Sequence, residues 1–191
     1  MLRVFSDLHV FDGSSRIESL RQLDPLTHDV DALLINGDSC DTQVGATADQ
    51  IEELRAYLAG RAPRVTFVTG NHDPDISEVH ELLLGDGRIW ATHGDVLYAN
   101  ATPWSRLLPE LERRIATARS QRPQVPLDRI ESRLEIFRQI SRRLPSEDDI
   151  RRRDLRSRLV RLLRDVGSVR RVRAILRAWQ TAPDLAAALA R

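Results

Sequence analysis

The chain has 191 residues, 41% of them apolar and 30% charged. That balance supports one folded domain, or one domain with a large appendage, and excludes disorder throughout. Cys40 is the only cysteine, so a disulfide framework and an all-cysteine zinc site are both excluded. No run reaches the roughly 20 apolar residues of a membrane-spanning helix. Met1 leads straight into an apolar, strand-like stretch, so no secretory leader is expected. The expected location is cytoplasmic, with peripheral contact to the inner membrane as a further expectation.

The net charge of +1 conceals a split. Residues 1–100 carry 7 Arg and 17 acidic residues, a net of −10, and residues 101–191 carry 22 Arg and 11 acidic residues, a net of +11. There is no Lys; all five His and eight of the nine Gly precede residue 101. Such asymmetry points to two jobs. The acidic, His-bearing half has the composition of a metal site, and the Arg-rich half that of a surface meeting anions.

In chain order, Leu2–Phe5, Ala32–Ile35, Val65–Val68 and Ile89–Ala91 read as buried strands. Helical patterns fall between them at Ser15–Leu23, Thr47–Ala59 and Ile76–Leu84. The alternation predicts an α/β fold with a largely parallel sheet over residues 1–100, its functional groups at the carboxyl ends of the strands. From about Pro103 glycine nearly vanishes, and apolar residues recur at helical spacing among Arg and Glu. Trp104–Arg119, Leu127–Leu144, Glu147–Asp165, Val169–Gln180 and Pro183–Ala190 read as helices of an all-α, Arg-rich unit over residues 101–191. Trp104, Trp179 and Phe137 read as core residues of that unit. Glu110 with Arg114, and Glu135 with Arg138, have the spacing of intrahelical pairs.

Each predicted strand is followed at once by groups that can bind metal. These are Asp7 and His9, then Asp38 and Asp41, then Asn71, His72 and Asp73, then His93 and Asp95. A parallel sheet brings them to one edge. Carboxylate, imidazole and amide oxygen suit Mn, Fe or Zn without a thiolate. Asp7 and His9 are two residues apart, so an extended backbone points both the same way. Gly37 leaves the chain room to turn closely at Asp38. Taken singly, an Asp after a strand is usually a cap or turn residue, and His28 and His80, away from strand ends, read as structural. Four clusters at four successive strand ends read jointly as a metal site.

The series Asp7-Leu8-His9, Gly37-Asp38-Ser39-Cys40-Asp41, Gly70-Asn71-His72-Asp73 and Thr92-His93-Gly94-Asp95 resembles the calcineurin-like metallophosphoesterase superfamily. The His-Gly-Asp form of the fourth motif and the Arg-rich helices after it are most similar to the UDP-2,3-diacylglucosamine diphosphatase branch. The resemblance implies a sandwich of two sheets flanked by helices. It implies two divalent ions, Mn before Fe, Zn or Mg: Asp7 and His9 on one, Asn71 and His93 on the other, Asp38 bridging. It implies His72 beside the scissile phosphate, its imidazole held by Asp41, with Asp73 and Asp95 in supporting roles. The superfamily pattern closes with Gly-x-His-x-His, and no His follows His93 here. The chain is therefore expected to hold the amino-terminal part of the fold plus the helical insertion, with three protein ligands for each ion.

The expected function is metal-dependent hydrolysis of a phosphoester or pyrophosphate, by metal-bound hydroxide. The substrate class is a phosphorylated small molecule or a lipid-linked nucleotide, as for UDP-diacylglucosamine. Two alternatives stand beside it: a catalytically impaired remnant that binds metal or anions, and a nuclease-like phosphodiesterase. For the Arg-rich helices, runs such as Arg151-Arg152-Arg153 fit a cap gripping phosphate, then an anionic membrane, then nucleic acid.

Overall fold

In the computed structural model the described residues are 1–13, 15–43, 45–98, 102, 105, 108–126, 129–141, 172–173, 175–177 and 179–182. The chain divides into two compact units, Met1–Gly94 and Asp95–Arg191.

The first unit is built on a parallel sheet of β1 (Leu2–Phe5), β2 (Ala32–Asn36) and β3 (Arg64–Val68), in that order. Leu2 pairs with Ala32, and Ala32 with Arg64, so the three strands run level and end side by side. In β2, the central strand, Leu33, Leu34 and Ile35 are all buried, as expected where both faces are covered. Helix α1 (Ala48–Ala59) covers one face. It starts where Thr47 accepts the Gln50 N–H and the Gln50 side chain returns to the Thr47 N–H, a capping box. Leu54 and Leu58 of α1 pack with Leu33, Ile35, Val10 and Leu23. Each fully buried Leu of this kind contributes about 1.5–3 kcal/mol.

Two helical expectations in this unit are corrected. Over Ser15–Leu23 the chain is irregular until a 3-10 helix at Leu20–Leu26, which contains Pro25. Over Ile76–Leu84 it is a loop followed by β4 (Glu81–Leu84). There the Ser77 hydroxyl donates to Phe67 O and accepts the Val79 N–H, giving the backbone an alternative to a helix. The fourth predicted strand exists, as β5 (Ile89–Thr92), but it does not extend the parallel sheet. It pairs antiparallel with β4, and the turn has Gly85, Asp86 and Gly87 at positive φ. The Gly-Asp-Gly sequence is a hairpin signal. The hairpin is tied to the end of β3 where the Thr69 N–H donates to Val79 O at 2.9 Å.

The second unit contains α2 (Leu108–Gln121) and α3 (Ile130–Ser141), which pack together. Leu108, Leu111, Ile115 and Ala118 line the buried face of α2 at helical spacing. Leu134 and Phe137 are buried on α3. Arg114 reaches from α2 to Ile140 O at 3.1 Å. Glu110 pairs with Arg114 as its spacing predicts, and with Arg113 as well, both at 2.6 Å. Those two guanidiniums hold the Glu110 carboxyl down at about 2. Glu135 pairs with Arg122. The Arg138 side chain, Trp104, residues 142–171 and residues 183–191 lie outside the described residues, and with them the Arg151-Arg152-Arg153 run and the helices expected at 147–165 and 183–190. Residues 172–173, 175–177 and 179–182 are helical. Trp179 is not a core residue: it is 65% exposed. No helix among the described residues is long and apolar enough to cross a membrane.

Candidate metal centre

Because β1, β2 and β3 are level and parallel, the loops leaving their carboxyl ends share one edge. Beyond the strands the ladder continues irregularly: the Asp7 N–H donates to Gly37 O at 3.1 Å and the His9 N–H to Asp38 O at 3.0 Å. Asp7, His9 and Asp38 are all left-handed, with φ of 55°, 46° and 52°. Such backbone costs about 1–3 kcal/mol per residue and persists only where surrounding bonds enforce it. The segment from Asp7 to His9 is therefore not extended, and the two-residue spacing does not aim both side chains alike.

Asp73 supplies much of the enforcement. Its Oδ1 accepts the N–H of Asp38 at 2.9 Å and that of Gly70 at 2.8 Å. Its Oδ2 accepts the Ser39 N–H at 2.7 Å and the Ser39 hydroxyl at 2.5 Å. A fully buried carboxylate thus staples the loop after β2 to the loop after β3. The two loops are close enough that a Cβ on Gly70 would stand 2.5 Å from Asp38 N and 2.3 Å from its Oδ1. Gly37, with φ of +81°, does the same for the fourth motif, since a Cβ there would stand 2.4 Å from the His93 ring.

Among the described residues the result is two groups of ligand atoms, each within 4.8 Å: Asp7, Asp38 and His93, and His9, Asp38 and His72. Asp38 belongs to both. Its Oδ2 lies 3.5 Å from His93 Nε2 and 3.7 Å from His9 Nε2, and its Oδ1 accepts the His72 N–H at 2.9 Å. His93 Nε2 lies 3.8 Å from Asp7 Oδ1, and the His9 and His72 rings meet edge to face at 4.8 Å. Asp7 thus lies in one group with His93, and His9 in the other with His72. Asn71 sits half-buried in the same turn, between Gly70 and His72. Asp95 is buried in a 3-10 turn, Asp95–Leu97, of the second unit. His28 is exposed, and His80 bonds Thr69 Oγ1 at 2.9 Å through Nδ1.

The electrostatics fit a cation. Burial pushes the Asp38 carboxyl above the ordinary range, against the pull of His93 and His72. A buried carboxylate among imidazoles gains its counter-charge when a cation sits beside it. The donor set is oxygen and imidazole nitrogen, the set for Mn, Fe, Zn or Mg. Cys40 is not part of it: fully buried, its thiol is pushed up to about 12, mainly by burial. Asp41 Oδ2 lies 3.4 Å from His72 Nδ1. Burial lowers the His72 pKa, but Asp41, Asp38 and Asp73 together outweigh it and the net shift is upward. Residues to which the sequence assigned no role complete the centre: Ser39, Gly70 and Asn36, whose carboxamide donates to Thr92 O. The only signal for them was their place beside an Asp, an Asn or a Gly at a strand end.

The chain belongs to the calcineurin-like phosphoesterase family, whose model matches residues 2–169. It is thereby a metallophosphoesterase, a hydrolase of the metal-dependent class, with the family's α/β fold. Searches of curated proteins and of solved structures give no match.

Proposed function

We propose that this chain hydrolyses a phosphoester or pyrophosphate at a centre of two divalent ions, Mn before Fe, Zn or Mg. The observation that carries the reading is the Asp38 carboxylate common to both ligand groups. One carboxylate between two cations offsets part of their repulsion, as a two-ion centre needs. Asp7, Asp38 and His93 would hold one ion. His9 and Asp38 would hold the other, with Asn71 on the adjoining turn as a further oxygen ligand. When bound, the ions supply charge neutralisation for the phosphoryl group and a water of lowered pKa.

The chain's own groups complete the chemistry. Asp41 engages His72 Nδ1, which leaves Nε2 to donate a hydrogen bond or a proton to the phosphoryl oxygen. The carboxylates of Asp41, Asp38 and Asp73 favour the protonated imidazole and shift its pKa upward. The substrate we favour is a nucleotide-linked or lipid-linked pyrophosphate of the UDP-diacylglucosamine kind. Its support is the His93-Gly94-Asp95 form of the fourth motif and the Arg-rich half that follows. The test is Mn-dependent hydrolysis of bis(p-nitrophenyl) phosphate, with H93A and D38N as controls. Turnover that falls at least a hundredfold in both variants is the result this reading requires. Turnover equal in all three proteins, or absent from all, rejects it; absence leaves the remnant that binds metal or anions.

An anionic lipid surface at the inner membrane is the partner we propose for the second unit. Val172, Leu176 and Trp179, spaced as one helical stripe, are 49%, 54% and 65% exposed, and Arg173 and Arg177 beside them are exposed. Apolar side chains flanked by Arg suit an interfacial helix. Sedimentation with phosphatidylglycerol vesicles, lost on W179A and absent with phosphatidylcholine, supports the proposal. Equal binding of wild type and W179A overturns it.

A further inference from the structure

Asn36 closes β2 one residue before Gly37 and two before Asp38. Its register partner is Val68, the last residue of β3. Ile35 belongs to the core packed against α1, so strand alternation turns Asn36 to the other face of the sheet. From there its Nδ2 donates to Thr92 O at 3.0 Å, across 56 residues of sequence. Its Oδ1 is buried with no hydrogen-bond partner among the described residues. Thr92 is the last residue of β5 and the one before His93. Gly94, after it, is left-handed at φ of +96° and constrains the chain little from that side.

The β4–β5 hairpin is therefore tied to the parallel sheet at two places within this unit. At its start, Val79 O accepts the Thr69 N–H. At its end, Thr92 O accepts the Asn36 carboxamide. The second tie lies where the His93 ring packs on Gly37 and brings Nε2 to 3.5 Å from Asp38 Oδ2.

We propose that Asn36 is a positioning residue of the metal centre, whose carboxamide fixes the end of β5 so that His93 reaches the ion shared with Asp7 and Asp38. The inference rests on the proposed metal reading for the role of His93, but the bond and its effect on His93 are testable without metal. A residue that orients a ligand through its backbone acts as outer-shell partners do, and their loss typically lowers metal affinity 10–100-fold. The chemistry of the contact is specific. An Asp at 36 keeps the shape but sets a carboxylate oxygen against a carbonyl oxygen, and an Ala removes the tie.

The experiment compares wild type, N36A, N36D and the core variant L58A. In metal-free protein, long-range proton–nitrogen NMR of the histidine rings reads His93 directly, with H93Q as its assignment control. Displaced His93 ring signals in N36A and N36D, with His28 unchanged, support the proposal; unmoved His93 signals overturn it. Mn titration is the second readout. About tenfold weaker binding at the His93 site in both Asn36 variants, but not in L58A, is expected. Affinity within twofold of wild type, or an equal loss in L58A, contradicts the positioning role. If wild-type His93 signals do not respond to Mn at all, the metal reading fails, while the metal-free ring shifts still decide the positioning. Should either variant not fold, hydrogen exchange of the wild-type Asn36 carboxamide decides: protection supports the bond and free exchange overturns it.

Discussion

The carboxylate of Asp73 lies 2.9 Å from the backbone nitrogen of Asp38, and the same carboxylate accepts Gly70 N–H and both donors of Ser39. The buried side chain of one motif thus shapes the backbone that presents Asp38, the residue common to both ligand groups.

Replacing Asp73 by Asn leaves one oxygen to accept four donors and sets an NH2 group against N–H groups. Hydrogen bonds to a charged group are worth about 1.5–3 kcal/mol each, so D73N should lose about 3 kcal/mol or more of stability. Urea unfolding of metal-free protein measures it. A loss below about 1 kcal/mol would show that the loops hold without the staple.

The two glycines should differ in what they break. At Gly70 a Cβ meets Asp38 backbone, so G70A must shift a loop and should destabilise the fold by roughly 2 kcal/mol. At Gly37 a Cβ meets the His93 ring, which can swing away. G37A should therefore weaken metal binding by a larger factor than its φ strain, about 1 kcal/mol, alone implies. Calorimetry with and without Mn separates the two. Equal metal affinity in G37A and wild type would contradict the seating of His93 on Gly37.

How much of this was legible in the sequence differs by element. The helix over Thr47–Ala59 was legible from its pattern, and the capping box of Thr47 and Gln50 that starts it is a local feature. The motif residues were legible because parallel strands deliver their carboxyl ends to one edge. The β4–β5 hairpin was not, since Leu82-Leu83-Leu84 suits helix and strand alike, and a glycine after Leu84 suits a helix end as well as a hairpin turn. The grouping of Asp7 with His93 depends on left-handed backbone at Asp7 and His9, which non-local bonds from Gly37 and Asp38 impose. Trp179 reads as core among the apolar rows of its unit, although its helical spacing equally suits an exposed stripe.

The pH dependence of the metal-free protein follows from Asp38 and His72, both shifted upward on folding. A group whose pKa is raised in the folded state stabilises it fully below its unfolded value, and that contribution is lost as pH rises through the folded value. Metal-free protein should therefore lose thermal stability as pH rises above the ordinary values of an Asp and a His, about 3.9 and 6.5. D41N, which removes a partner of His72, should flatten the upper part of that fall. Thermal scans in EDTA across the range measure both effects. Stability that rises over the range, or an unchanged slope in D41N, would contradict the assignment.

The account rests on two ions meeting at one carboxylate. Electron paramagnetic resonance of Mn-loaded protein tests this most directly, because two Mn ions a few Å apart couple and isolated ions do not. The account predicts two bound Mn per chain with a coupled spectrum in wild type, and loss of the coupling in D38N. A single uncoupled Mn in wild type, or a coupled spectrum that survives in D38N, would contradict it.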